Sequence, residues 1–536
     1  MADLNGNHQE QSIPPPAPAG PEPPPRATRA LASIARNSIA NLARQGASWL
    51  VVLLLPPLLV RVLDKPSYAT WVLMLQIAAY VGMFDGGVQN AIARFVARAE
   101  GLSDQHYMER ILSSAGLILV IASALAMTLT SVVAWKLDAI FHGIPSSVSS
   151  DAKAVLLLVG FSMALSLPFS TMAGIFAGLQ KNEVNAIAGS VGKISGAIGA
   201  GWAAYHHQGL MVMGWWVALG NLLQPLIYFV SWRRLTSHIR IGKDRIDLSA
   251  LKEFFQFWSA MLIAQFGTIL ITGLDMPIVV AFDFPSAAYY AVATTISNML
   301  VVPYSAIIST LMPVAAGMSV GDSAHRLGEI VVKTTRYGTA ILCLMAIPLT
   351  LGIYPFLRLW VGADYAGHAL PLAEVLIAAQ LIRLTLNSYA TIAFSAGQQN
   401  RILVSPFVEG VVNLIASLVA VQYIGAIGVA LGTLLGACVG LAVHFVISMP
   451  RTDSLAFSRR RLFVTGILWP VFYALPPVLF IVLLGTHTIS SWTHSALVAV
   501  GELIAAWLLW KFNFDEPERG ALKSLLRHVA SFAKPA

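Results

Sequence analysis

Fourteen stretches of mainly apolar residues, most of them twenty or more long, follow one another from residue 41 to residue 510. A helix rises 1.5 Å per residue, so about twenty residues cross the ~30 Å hydrocarbon layer of a bilayer. Inside lipid every backbone N–H and C=O must be paired within the protein, which leaves helices as the structure for segments of this length. The stretches lie at about 41–63, 68–90, 111–135, 154–179, 184–205, 209–231, 255–282, 287–317, 334–357, 369–396, 402–423, 425–448, 463–485 and 493–510. No loop between them is longer than about 20 residues, so no soluble catalytic domain fits. Only 11% of residues are charged, against about a quarter in soluble domains, too few to solvate a surface of this size. The reading is an all-α polytopic membrane protein with about 14 transmembrane helices.

The ends differ from the middle. Residues 1–35 contain QSIPPPAPAGPEPPPR, too proline-rich and too poor in apolar bulk to pack, and read as a disordered, partly polyproline tail. No basic segment leading into a short cleavable apolar run precedes the first span, which is expected to act as its own insertion signal. The residues after 515 form a short basic tail. With the N-terminus placed in the cytoplasm, 27 of the 34 Lys and Arg fall on the cytoplasmic side and five on the opposite side, with Lys193 and Arg383 inside spans. That asymmetry is a positive-inside signal and predicts both termini cytoplasmic. The net charge of +8 therefore faces anionic lipid and is not a nucleic-acid signal. The two cysteines, Cys343 and Cys438, lie in apolar runs and do not suggest a disulfide framework.

A repeat divides the chain. Asp64-Lys65-Pro66-Ser67-Tyr68-Ala69 and Asp283-Phe284-Pro285-Ser286-Ala287-Ala288 both read D-x-P-S-x-A, 219 positions and six helices apart, at the outer ends of odd-numbered helices. Taken singly each is a good turn and helix start. Taken together they predict a parallel repeat of two six-helix bundles, 36–235 and 236–450, followed by two extra helices in 451–515 and the tail 516–536.

Several spans carry polar residues three and four apart, hence on one helix face. Helix seven has Gln265, Thr268, Thr272 and Asp275; helix ten has Gln380, Arg383, Asn387, Thr391 and Ser395; helix eleven has Ser405, Glu409, Asn413 and Ser417; helix five has Asn182, Asn185 and Lys193 between glycines; helix one begins with Asn37, Asn41 and Arg44. A charge facing mid-bilayer lipid costs a few kcal/mol even on the mildest scales, so these faces meet other helices or water. The hydroxyls taken singly read as interhelical hydrogen bonds. The charged positions fit a water-filled path between the bundles. Two central cations suit an anionic substrate such as a phosphate or diphosphate. Asp275 and Glu409 either pair with those cations or bind a coupling proton or sodium ion; Gln265, Thr272, Asn387 and Asn413 are the neutral candidates beside them.

No Gly-rich phosphate loop, metal-ligand cluster or nucleophile elbow occurs, and His206–His207 reads as incidental, so neither an enzyme nor a cofactor or metal is expected.

The end of helix two carries a further pattern. Phe84-Asp85-Gly86-Gly87, followed by apolar residues, Arg94 and Arg98, resembles the D-x-G…Arg motif of polysaccharide-biosynthesis transporters. These are O-antigen and exopolysaccharide flippases of the multidrug/oligosaccharidyl-lipid/polysaccharide exporter superfamily. The resemblance extends through Pro57, the Asp64–Trp71 turn, Asp275 and the Asp283–Tyr290 turn, over about residues 36–450. It implies two bundles around a central cleft with alternating access in the bacterial inner membrane. The implied substrate is a polyprenyl-diphosphate-linked oligosaccharide, flipped for a surface glycan such as lipopolysaccharide or exopolysaccharide, with a glycan polymerase and glycosyltransferases as partners. It also implies a cationic-cavity role for Arg44, Lys193 and Arg383. Asp85, Gly86, Arg94 and Arg98 read as a gate or family motif, with Asp85 capping the helix that follows it.

Two alternatives stand beside this. A cation-coupled multidrug antiporter of the same superfamily more typically carries an acid deep in helix one, where this chain has Arg44 and no acid before Asp64. A membrane glycan polymerase or ligase usually needs a large outer loop, which is lacking.

Overall fold

The computed structural model describes residues 46, 49–85, 87–236, 238–309, 324–452, 455–483 and 491–520. Arg44 and Gly86 lie outside them, as do the proline-rich tail and the end of the basic tail.

The described chain is helical, with no strand among the described residues. Numbering the longer helices in order, the first half holds α1 Trp49–Val62, α2 Lys65–Ala79, α3 Val88–Leu102, α4 Gln105–Trp135, α5 Ser146–Ser166, α6 Ser170–Gly178, α7 Asn182–Tyr205 and α8 Gly209–Leu235. The second half holds α9 Leu248–Thr268, α10 Asp275–Phe282, α11 Phe284–Ser309, α12 Ala324–Leu351, α13 Ile353–Trp360, α14 Ala363–Thr385, α15 Asn387–Ser395, α16 Val404–Ile424 and α17 Ala426–Val443. Then come α18 Trp469–Leu483 and α19 Ser491–Leu508. Ten helices among the described residues are long and apolar enough to cross a membrane. The fold is thus a polytopic all-α membrane protein, and each described predicted span coincides with helix.

Differences from the predicted boundaries have local causes. The third span begins at Gln105, not near 111, because Asp104 caps it by accepting the Tyr107 amide at 2.8 Å. The seventh span is not one helix. It passes from α9 through a π-helical segment, Ile269–Gly273, and restarts at Asp275. The second span runs to Asp85 through a 3-10 segment, Tyr80–Asp85, and breaks at Gly87, whose φ of +79° favours glycine.

The two D-x-P-S-x-A turns start α2 and α11, with proline in the first turn of each helix, where a missing N–H costs nothing. Their aspartates part company. Asp64 makes no side-chain cap, whereas Asp283 accepts the Ala426 amide at 2.8 Å and so caps α17 instead of its own helix.

Small residues set the closest helix crossings. Gly192 and Gly220 bring α7 and α8 so near that a Cβ on Gly192 would lie 2.7 Å from the Gly220 carbonyl oxygen. In the second half, Gly428, Gly432, Gly436 and Gly440 form a stripe at steps of four along α17. The largest buried cluster joins both halves, from Tyr68 and Trp71 on α2 to Tyr290 and Tyr304 on α11.

Candidate functional site

The polar stripe of α16 packs on the glycine stripe of α17. A Cβ on Gly440 would fall 2.7 Å from Glu409 Oε2, and one on Gly436 would fall 2.9 Å from Asn413 Cβ. Ser405 Oγ donates to the Gly440 carbonyl at 2.6 Å, and Ser417 Oγ to the Val429 carbonyl of α17 at 3.2 Å. The outer members of this stripe are therefore interhelical hydrogen bonds, and its middle members, Glu409 and Asn413, reach further.

Asn413 Nδ2 donates to the Ile271 carbonyl at 2.7 Å and to Asp275 Oδ1 at 3.3 Å. Ile271 lies in the π-helical segment, where the regular ladder is interrupted. Asp275 Oδ2 accepts Thr433 Oγ1 at 3.0 Å. A buried carboxylate thus sits where the seventh span breaks, held by neutral donors from α16 and α17. Sequence reasoning missed Thr433. Its signal was there, a hydroxyl amid the glycines and aliphatics in the middle of helix twelve.

Arg383, on α14, makes a buried ion pair with Glu409: Nε donates to Oε1 at 2.6 Å, and Nη1 donates to Gln380 Oε1 at 3.1 Å. Its Nη2 is buried with no hydrogen-bond partner among the described residues. Of the two roles open to Glu409, pairing with a central cation is the one seen. Asn387 is half-buried at the break between α14 and α15. Gln265 lies on α9 and Thr272 in the π segment; their side chains lie outside the description.

Lys193 is elsewhere. It is exposed at the middle of α7, one turn before Ala197 and two before Gly201 on the same stripe. Those two residues, with Leu50, Leu54, Ile198 and Trp202, line an apolar groove of about 480 Å³ between α1 and α7. Lys193 is thus exposed on a helix of the first half, whereas Arg383 is paired with Glu409 within the second.

In the motif region, the N-cap position of α3 is Gly87, with no side-chain cap, so Asp85 does not cap the helix after it. Arg94 is exposed on α3. Arg98 lies 4.0 Å from Glu253 of α9 and over the Tyr107 ring. It thus links the first half to the opening helix of the second.

This architecture is shared with known membrane transporters. The lipid II flippase MurJ in an inward closed conformation superposes with a TM-score of 0.68 at 15% identity, covering 89% of this chain and 98% of that one. An inward-facing multidrug resistance MATE family transporter of the MOP superfamily gives 0.60 at 13% identity, covering 78% and 98%. A MOP superfamily transporter from Pyrococcus furiosus gives 0.54 at 14% identity, covering 80% and 96%. The chain shares the fold of these transporters. The chain belongs to the polysaccharide biosynthesis protein family, whose profile matches residues 34–319. No curated protein matches it in sequence.

Proposed function

We propose that this protein flips a polyprenyl-diphosphate-linked oligosaccharide from the inner to the outer leaflet of a bacterial inner membrane, by alternating access of bundles 36–235 and 236–450. Both termini are cytoplasmic in this reading. The observation that carries it is the exposed Lys193 on α7, one turn before Ala197, which lines the apolar groove between α1 and α7. A lipid-linked diphosphate has the matching form, an anionic head on a hydrocarbon chain. Such a chain passes from lipid into the groove, so the groove contributes packing and not a hydrophobic gain, and the ammonium supplies a point charge for the head. Family membership and the likeness to MurJ support the same reading. Asp275, with Asn413 and Thr433, is the coupling-ion site of this proposal, for a proton or a sodium ion, and Arg383 is a second contact for the anionic head once Glu409 releases it.

The likeness to a MATE transporter supports one alternative, cation-coupled multidrug export. Reconstituted vesicles separate the two. With a fluorescent polyprenyl-diphosphate oligosaccharide, wild-type protein moves the glycan to the opposite leaflet and Lys193→Glu does not. If Lys193→Glu and Arg383→Glu both keep wild-type rates at equal protein levels, the cationic contacts are wrong. Ion-driven dye efflux without glycan movement would mean the antiporter.

A further inference from the structure

We propose that the first half of the chain holds a binding site of its own for a small monovalent cation of sodium size, built around Asp85 and separate from the Asp275 network.

Asp85 ends the second span and lies on the wall of a half-open cavity of about 170 Å³ lined by the 3-10 segment after α2, the start of α3, the α5–α6 junction and α8. Pockets for drug-sized molecules run to roughly 300–1,000 Å³, so this space suits an ion with a few waters and not a glycan. Asp85 Oδ1 is buried and has no hydrogen-bond partner among the described residues. An acidic oxygen left so is costly unless a proton or cation meets it.

The rest of the wall supplies neutral oxygens. Gln89, Ser170, Asn221, Gln224 and Tyr228 line the cavity, and no lysine or arginine does. The backbone adds another. Pro225 sits inside α8 and has no N–H, so the Asn221 carbonyl loses its helical donor. It accepts the Ser166 hydroxyl at 3.2 Å, and a carbonyl oxygen has a second lone pair to offer a ligand. Hydroxyl, amide and carbonyl oxygens around a single carboxylate form a hard-cation donor set, and one negative charge suits a monovalent ion. Freed carbonyls at broken helices coordinate sodium by the same physics.

The repeat shows that packing alone does not require this hole. The 219-residue offset between Asp64 and Asp283 carries Asp85 onto Tyr304. Tyr304 is fully buried, its hydroxyl close to Gly338 and Ser388, so the second half fills the matching position with a phenol ring. The first half keeps a cavity and a carboxylate there.

The test uses the full chain in nanodiscs, with sodium as the only varied ion and choline holding ionic strength. Working in an Asp275→Asn background removes the other candidate site. Sodium is expected to raise the melting temperature saturably and to bind as one equivalent of ²²Na⁺. Asp85→Asn in that background abolishes both effects. Ser170→Ala, a milder change, moves the half-saturating sodium up by about tenfold, the loss expected for one neutral ligand. An Asp85→Asn protein that keeps the sodium response overturns the proposal, as does a response that follows pH and ignores sodium. Should Asp85→Asn not fold, an unchanged sodium midpoint in Ser170→Ala overturns it equally. If Asp275→Asn itself binds as much sodium as wild type, the coupling-ion role of Asp275 fails and the Asp85 site stands.

Discussion

Lys65 Nζ lies 2.8 Å from the Asp364 carboxylate, joining the first repeat turn to the start of α14 across the two halves. Tyr289, which follows the second repeat turn, completes the contact: its hydroxyl donates to Asp364 at 3.3 Å and its ring lies 5.1 Å from the Lys65 ammonium. Both charges are about half exposed, and an exposed pair contributes about 0–1 kcal/mol. Closure at this face therefore rests mainly on what lies beneath. Trp360 Nε1 donates to the Leu53 carbonyl at 2.8 Å, and Tyr68 meets the Tyr365 ring edge-on.

These magnitudes predict an order of effects. Lys65→Ala is expected to change the open fraction at this face by no more than about fivefold. Trp360→Ala removes a largely buried ring and its hydrogen bond, and should open the face far more. Maleimide labelling of an Ala366→Cys reporter, buried beside the aromatic layer and not part of it, measures both. Equal labelling in the two variants would mean that the ion pair, not the aromatic layer, holds the halves together.

The glycine stripe of α17 gives a stability prediction. Gly436→Val or Gly440→Leu drives a side chain into Asn413 or Glu409 and should cost about 1–3 kcal/mol or more, read as a lower melting temperature in detergent. Gly116→Ala is the control. Its added methyl meets nothing within 4 Å on a helix, so it should be neutral or slightly stabilising.

How far the sequence shows this fold depends on the length scale of each signal. A span of twenty apolar residues is a one-dimensional pattern, so helices such as 65–85 and 209–235 were legible nearly to their ends. The polar stripes were legible too, because steps of three and four fix a helix face. Which partner faces a stripe is a relation between distant segments. Arg383 could be seen as a buried cation, but its pairing with Glu409, 26 positions on, depends on how α14 and α16 pack. The groove beside Lys193 likewise needs α1 and α7 side by side. Asp85 reads as a cap in sequence because an acid before a helix usually is one. The left-handed Gly87 takes the cap position and leaves the carboxylate to the cavity.

The Arg383–Glu409 pair separates support of the fold from transport. Glu409→Ala leaves a buried guanidinium without its carboxylate, which costs about 3–5 kcal/mol. Arg383→Met with Glu409→Leu removes both charges and keeps apolar volume, a change that is often neutral or stabilising. The double variant is therefore expected to melt near the wild-type temperature while Glu409→Ala melts well below it. If Arg383 serves only the fold, the double variant also moves substrate at the wild-type rate. The proposed contact with the anionic head requires otherwise: a folded double variant whose glycan translocation falls at least tenfold. Melting and flipping measured on one preparation decide between the two, because only the second role links loss of transport to a protein of undiminished stability.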